Sequence, residues 1–353
     1  MVEKEEERVV KRANLESREN QGNPESHENP ENKLVNIIIL KYKILYKMIE
    51  ENFTQEEKKA IAKQIKNISK DCINKEMNAL VEIGDNACNM SSRSRIGNNV
   101  VDYFTFSQRL ATKGKYNINF YEFIVNIDEF KKKKFIQNML EYYDKVKNKT
   151  KKKNYYIVLK EVYNICISAI NIIRPIVYME IYTRYKPNCV LDFCAGWGGA
   201  AVAASALNIE KYIGIEINQA LKLPYIDLID FLKEKSKTNV TMIFDDALNV
   251  DYSNFDYDLV FTSPPYYFIQ KYENNAEYKS KKEMDEKFYI PLFSETYKYL
   301  QPNGIYALNI NKEAYENVCI PLFGVAHDIY PYKKSKRQNN YDEIVYVWYK
   351  NKK

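Results

Sequence analysis

Cys189-Val190-Leu191-Asp192-Phe193-Cys194-Ala195-Gly196-Trp197-Gly198-Gly199 is an apolar run that ends in an acid and then in three closely spaced glycines, with an Ala-rich segment beyond them. That order reads as a buried strand, a turn and a helix. Glycines lack a Cβ, so at the carboxyl end of a parallel strand they let the backbone approach a ligand closely. A second strand, Tyr212–Ile217, carries Glu216 at its end, about 20 residues past the glycines, where a carboxylate can accept hydrogen bonds from both hydroxyls of a ribose. A third, Val240–Phe244, ends in Asp245-Asp246, where a carboxylate or a backbone amide can read an adenine edge. The spacing is not that of the dinucleotide glycine fingerprint, and no phosphate-loop lysine follows.

Downstream, Asp256-Tyr257-Asp258-Leu259-Val260-Phe261 runs into Thr262-Ser263-Pro264-Pro265-Tyr266-Tyr267. Two prolines have no N–H for a ladder, so the chain must leave the sheet at Ser263 in a stiff turn. Fixed φ angles aim the carbonyls before and between the prolines, and Tyr266 adds an aromatic plate beside them. The exocyclic amine of adenine or cytosine is a poor nucleophile, because its lone pair is delocalised into the ring. Accepting its hydrogens at the Ser263 hydroxyl and the Pro264 carbonyl would favour a pyramidal nitrogen, with Tyr266 stacked on the base. Taken alone, the same residues read as a strand terminator followed by two surface tyrosines, in a chain with 31 of them.

The pattern Asp-x-x-x-Gly-x-Gly-Gly followed by Ile-Glu resembles the S-adenosylmethionine site of class I methyltransferases. The Ser-Pro-Pro-Tyr turn resembles the catalytic motif of DNA amino-methyltransferases acting on adenine N6 or cytosine N4. Pro175, in Ile-Ile-Arg-Pro-Ile-Val, resembles the family's additional cofactor-proximal motif, and the resemblance covers roughly 172–350. It implies an α/β fold, a seven-stranded and mainly parallel Rossmann-like sheet, and S-adenosylmethionine as cofactor. It implies Ser263, Pro264, Pro265 and Tyr266 as catalytic residues, with Tyr267 beside the substrate. Pro175, Asp192, Ala195, Gly196, Gly198, Glu216, Asp245 and Asp246 would bind the cofactor: Glu216 the ribose, Asp192 and the glycines the methionine side, Asp245 or Asp246 the adenine. The base would leave its duplex to reach the methyl group. Trp197 departs from the small or polar residue common at its position. Ser263 replaces the commoner Asp or Asn of adenine enzymes and leaves the target base open. RNA in place of DNA, a glutamine-amide protein substrate, and a non-catalytic subunit of a heterodimer are the competing readings.

The remainder frames that core. The chain has 353 residues, 45% hydrophobic and 28% charged, consistent with a soluble globular protein of two modest domains. No apolar run approaches the ~20 residues of a membrane span and no signal-peptide pattern opens the chain, so a cytoplasmic or nuclear location is expected. Six cysteines without CxxC spacing and two histidines suggest reduced thiols and no metal site. The net charge of +6 suits a polyanionic partner, although the wealth of Lys, Asn, Ile and Tyr also fits an AT-rich genome such as that of a large DNA virus or phage.

Residues 1–32 read as a disordered tail, 33–150 as a mostly helical domain and a candidate for target recognition, and 151–353 as the methyltransferase-like domain. Thr54-Gln55-Glu56-Glu57 looks like a capping box that opens a helix toward Val81. Arg93, Arg95, Arg109, Lys113 and Lys115, interleaved with amides and glycines, suit phosphates and base edges. Tyr155–Tyr185 reads as one or two helices, with Pro175 bending or starting the second. A helix to Leu300 precedes a fifth strand at Ile305–Ile310, and Val318–Ile329 and Glu343–Trp348 read as the closing pair. Between them lie Lys333, Lys334, Lys336 and Arg337, cations expected to meet nucleic acid.

Overall fold

The structure, a computed structural model, describes residues 53–91, 94–114, 116–147, 154–267, 277–331 and 344–351. Residues 1–52 lie outside that set, and with them the expected tail over 1–32 and the helix expected from Lys33.

The strands are β1 (Cys189–Asp192), β2 (Lys211–Ile215), β3 (Asn239–Ile243), β4 (Leu259–Thr262), β5 (Ile305–Ile310), β6 (Asp328–Pro331) and β7 (Ile344–Tyr349). They form one seven-stranded sheet in the order β3-β2-β1-β4-β5-β7-β6. β1 to β5 run parallel to one another, while β7 runs antiparallel to both β5 and β6. β6 therefore points the same way as the first five strands. This is the seven-stranded, mainly parallel sheet expected from the sequence.

Burial on both faces follows from the apolar runs. Val190, Leu259, Phe261, Ala307, Val345 and Val347 enter one core, and Leu191, Val260, Leu308, Ile310, Tyr346 and Trp348 enter the other. Helices cover both faces: α1 (Gln55–Ile65), α2 (Lys70–Ile83), α3 (Asn98–Ala111), α4 (Tyr155–Cys166), α5 (Pro175–Tyr185), α6 (Gly199–Ala206), α7 (Lys222–Lys233) and α8 (Ile290–Tyr299), with short helical turns between. Pro175 starts α5 at its first turn, where its missing N–H costs nothing. All eight residues of α6 are buried. The first core takes Ile73, Met77 and Leu80 of α2 and Val100 and Val101 of α3 together with Ala200–Ala204 of α6. Residues 55–353 form one compact unit, and the boundary expected at residue 150 falls inside it.

Three local expectations are corrected. The helix expected to run from Thr54 to Val81 breaks at 66–69, because Ser69 makes a new N-cap and its side chain accepts from Cys72 N–H at 3.1 Å. The strand expected over Val318–Ile329 is helical up to Phe323. Asn311 caps that helical stretch by accepting from Ala314 N–H at 2.8 Å, and Gly324 ends it at φ 78°, so β6 begins only at Asp328. The helix ahead of Leu300 contains a π turn, Asp285–Tyr289. Among the described residues no helix is long and apolar enough to cross a membrane. All six cysteines are free thiols.

Candidate active site

The chain winds outward from β1 through β2 to β3, then returns to β4 on the other side of β1. The connections leaving β1 and β4 diverge there, at the point where open α/β sheets offer a ligand crevice at the carboxyl ends of the strands. Leu191 pairs with Val260, so the loop after Asp192 and the turn after Thr262 start at neighbouring strand ends. Two motifs distant in sequence thus meet at the one place where this topology makes a ligand site.

On the β1 side, Gly196 and Gly198 have φ of 57° and 94°, the left-handed region that other residues enter at a cost. A Cβ on Gly196 would meet nothing nearer than the Cys194 carbonyl at 3.8 Å, so its outer surface faces open space. A Cβ on Gly199 would lie 2.5 Å from the Ile173 carbonyl, which presses the segment leading into Pro175 against the start of α6. Tyr225 of α7 holds the loop from below, its hydroxyl donating to the carbonyls of Ala195 at 3.2 Å and Gly196 at 3.0 Å.

Glu216, just past β2, ties its strand end to this loop. Its Oε2 accepts from Gly196 N–H at 2.8 Å and its Oε1 from Asn218 N–H at 2.9 Å. Burial pushes the carboxyl up to about 7, against the pull of those two amides. Asp192 is 0% exposed and accepts from Tyr212 O–H at 3.2 Å and Cys194 N–H at 3.3 Å. Burial raises it to about 6. Beyond β3 the two acids separate. Asp245 is exposed and binds Asp246 N–H and the Asn249 amide. Asp246 caps Leu248 N–H at 3.0 Å, and burial first, then the charges of Asp192 and Glu216, with Asp246 last, raise the Cys194 thiol in the loop. Of the pair, Asp246 is the less exposed.

On the β4 side, every residue of the turn has a partner or a packed position. Pro264 is buried. Tyr266 O–H donates to Asn309 Oδ1 at 3.2 Å, and Asn309 Nδ2 donates to Ser263 Oγ at 3.3 Å. Tyr289 O–H donates to the Pro265 carbonyl, and Tyr267, 5% exposed, donates to Asp285. Burial raises the Tyr267 phenol first, and Asp285 raises it further. Tyr267 is thus a wall behind the turn, where the sequence suggested a substrate contact.

Asn309, Tyr289, Asp285 and Tyr225 were not singled out from sequence. A lone amide in the apolar run Ile305–Ile310 is the one signal that marks Asn309 beforehand.

The basic stretch before the sheet behaves differently from expectation. Arg109 is 8% exposed, paired with Asp102 and set over the rings of Phe106 at 5.3 Å and Trp197 at 6.0 Å. Lys113 pairs with Glu122 at 2.9 Å. These two cations brace the interior and cannot reach a phosphate. Thr105 O–H reaches the Trp197 carbonyl at 3.3 Å, so α3 backs the glycine loop and Trp197 fills the space between them. Arg95 is exposed. Arg93, Lys115, Lys333, Lys334, Lys336 and Arg337 lie outside the described residues.

No family model and no curated protein matches the sequence. Among solved structures, the chain is similar to TrmN from Thermus thermophilus, at 16% identity and a TM-score of 0.36, over 50% of this chain and 48% of that one. It is similar to a tRNA methyltransferase from M. jannaschii at 15% identity and a TM-score of 0.36, over 53% of each chain. For an rRNA methylase from Streptococcus thermophilus the values are 14% and 0.35, over 52% of this chain and 100% of that one. The chain spans about half the length of the first two. Similarity this low carries no argument, and the fold stands on the strand order and register themselves.

Proposed function

We propose that the chain is an S-adenosylmethionine-dependent methyltransferase that modifies an exocyclic amine of a DNA base, adenine N6 or cytosine N4. One juxtaposition carries the reading: the Ser263–Tyr266 turn leaves β4 beside the glycine loop that leaves β1. Either motif alone has a bland explanation, but a rigid acceptor turn opening onto an adenosine-type site is what methylation of a weak amine requires.

The residues present fit the cofactor. Gly196 offers open main chain, Glu216 retains lone pairs beyond its two amide bonds, and Asp246 follows β3, next to β2 in the sheet. Glu216 would hold the ribose hydroxyls and Asp246 the adenine edge. When bound, S-adenosylmethionine supplies a methyl group on a positively charged sulfur. The protein contributes alignment, which accounts for much of the rate in direct displacements. Ser263 Oγ and the Pro264 carbonyl accept the two amine hydrogens and turn the nitrogen lone pair toward the crevice. Tyr266 stacks on the base, which has been turned out of its duplex.

Incubating the protein with isotope-labelled S-adenosylmethionine and unmethylated duplex DNA, with RNA in parallel, tests the reading by mass spectrometry of the nucleosides. Labelled N6-methyladenine or N4-methylcytosine from DNA is the expected product. Label found only in RNA nucleosides moves the substrate to RNA, and label in neither removes the assignment.

A further inference from the structure

Resting on that reading and going past it, we infer that Asn309 and Tyr289 are positioning residues that select which oxygens of the Ser263–Tyr266 turn meet the amine. The turn presents several acceptors at once, and a weak nucleophile gains only if a defined pair of them takes its hydrogens.

Register brings Asn309 to the turn. Thr262 pairs with Leu308 across β4 and β5, so the next residue along β5 stands level with Ser263. Asn309 is 1% exposed and uses both ends of its amide there. Nδ2 donates to Ser263 Oγ at 3.3 Å, which occupies one of that oxygen's two lone pairs. Oδ1 accepts from Tyr266 O–H at 3.2 Å, which fixes the ring before any base arrives. A buried amide with both ends engaged has one orientation, so the serine and the tyrosine are set as a unit.

Tyr289 acts on the next carbonyl. The π turn Asp285–Tyr289 inserts an extra residue in the helix, and such turns recur at functional sites. It brings Asp285 against Tyr267 and Tyr289 against Pro265, whose carbonyl accepts from the Tyr289 hydroxyl. Among the described residues no donor reaches the Pro264 carbonyl. The frame therefore occupies one lone pair of the Pro265 carbonyl and one of Ser263 Oγ and leaves the Pro264 carbonyl open among the described residues, so Ser263 Oγ and the Pro264 carbonyl are the acceptors it favours for the amine.

The test compares wild type with Asn309→Leu, Asn309→Asp and Tyr289→Phe, using labelled S-adenosylmethionine and unmethylated plasmid DNA, and total RNA in parallel. Asn309→Leu should lower kcat by about 10- to 100-fold, the scale of a misplacement of about 1 Å. S-adenosylmethionine affinity by calorimetry and the melting temperature should hold, since Asn309 does not touch the glycine loop. Asn309→Asp keeps the acceptor for Tyr266 and should recover part of the loss. Tyr289→Phe releases the Pro265 carbonyl and should cost roughly fivefold in kcat, the worth of one neutral hydrogen bond. A kcat for Asn309→Leu within about twofold of wild type overturns the inference while leaving the methyltransferase reading intact. If wild type methylates neither nucleic acid, that reading fails, and crystal structures of wild type and Asn309→Leu decide the frame. A Tyr266 ring in the same place in both overturns it, and a displaced ring supports it.

Discussion

The Glu216 carboxyl should give this protein a pH signature. Its pKa in the folded chain is raised by burial from 4.5 to about 7. The folded state therefore holds a proton that the unfolded chain has already lost between those values. By linkage, the stability from this group is complete below 4.5 and is lost as pH rises through about 7. Glu216→Gln keeps the shape and cannot titrate, so urea midpoints measured from about pH 5 to about pH 8 should decline less steeply in the variant. Ligand binding should run the other way. Ribose hydroxyls donate to the ionised carboxylate, so S-adenosylmethionine affinity should climb by up to about tenfold per pH unit below 7 and level off above it. In Glu216→Gln that climb should shrink, and a calorimetric profile of wild-type steepness in the variant would place the ribose elsewhere. Tyr266→Ala makes the companion test. It should lose base stacking of about 1–3 kcal/mol in DNA binding with cofactor affinity kept, and unchanged methylation would remove the tyrosine from the site.

At the scale of elements, the clearest support is a cation closing a helix. Lys350, just past β7, donates from Nζ to the carbonyls of Tyr297 at 2.8 Å, Lys298 at 2.7 Å and Leu300 at 2.6 Å. These are end carbonyls of α8 with no partner along the helix, and a positive charge there also suits the helix dipole. Lys350→Met should lower unfolding free energy by about 1–2 kcal/mol in urea titrations without changing the slope m. An unaltered midpoint would make the cap ornamental. Much at this scale was legible in the chain. β5 begins and ends where its apolar run does, and the Asp192-to-Gly199 signature gave strand, turn and helix in order. Val318–Ile329 misled because its apolar residues suit a strand as well as a buried helix, and the Asn311 cap settles the choice some residues upstream. The frame around Ser263 was illegible for another reason. Asn309 and Tyr289 reach the turn through strand register and a π turn, neither of which leaves a local pattern.

Across the whole molecule, two consequences follow from where the elements meet. Met77, Leu80, Val100 and Val101 are 0% exposed and lie in the same core as α6, so the helices before residue 150 complete the sheet's packing. A fragment starting at residue 151 would expose that apolar face, and it should show no cooperative thermal transition where the full chain does. Cooperative melting of the fragment would mean the sheet folds alone. The second consequence concerns nucleic acid. β6 runs parallel to β1–β5 and ends at Pro331, and β7 begins at Ile344 opposite Ile310, so the chain departs and returns on the carboxyl edge that carries Asp192 and Ser263. The intervening segment, with Lys333, Lys334, Lys336 and Arg337, lies outside the described residues, but both of its anchors stand on the crevice side. Arg109 and Lys113 are held in internal ion pairs. Each phosphate neutralised adds about 0.9 to the slope of log affinity against log salt. Replacing all four cations with Ser should flatten that slope by up to roughly 3.6, with S-adenosylmethionine affinity unchanged, because the glycine loop and Glu216 are untouched. A slope equal to wild type in filter-binding titrations would exclude this segment from the backbone of the bound strand and leave Arg95 the exposed cation to try next.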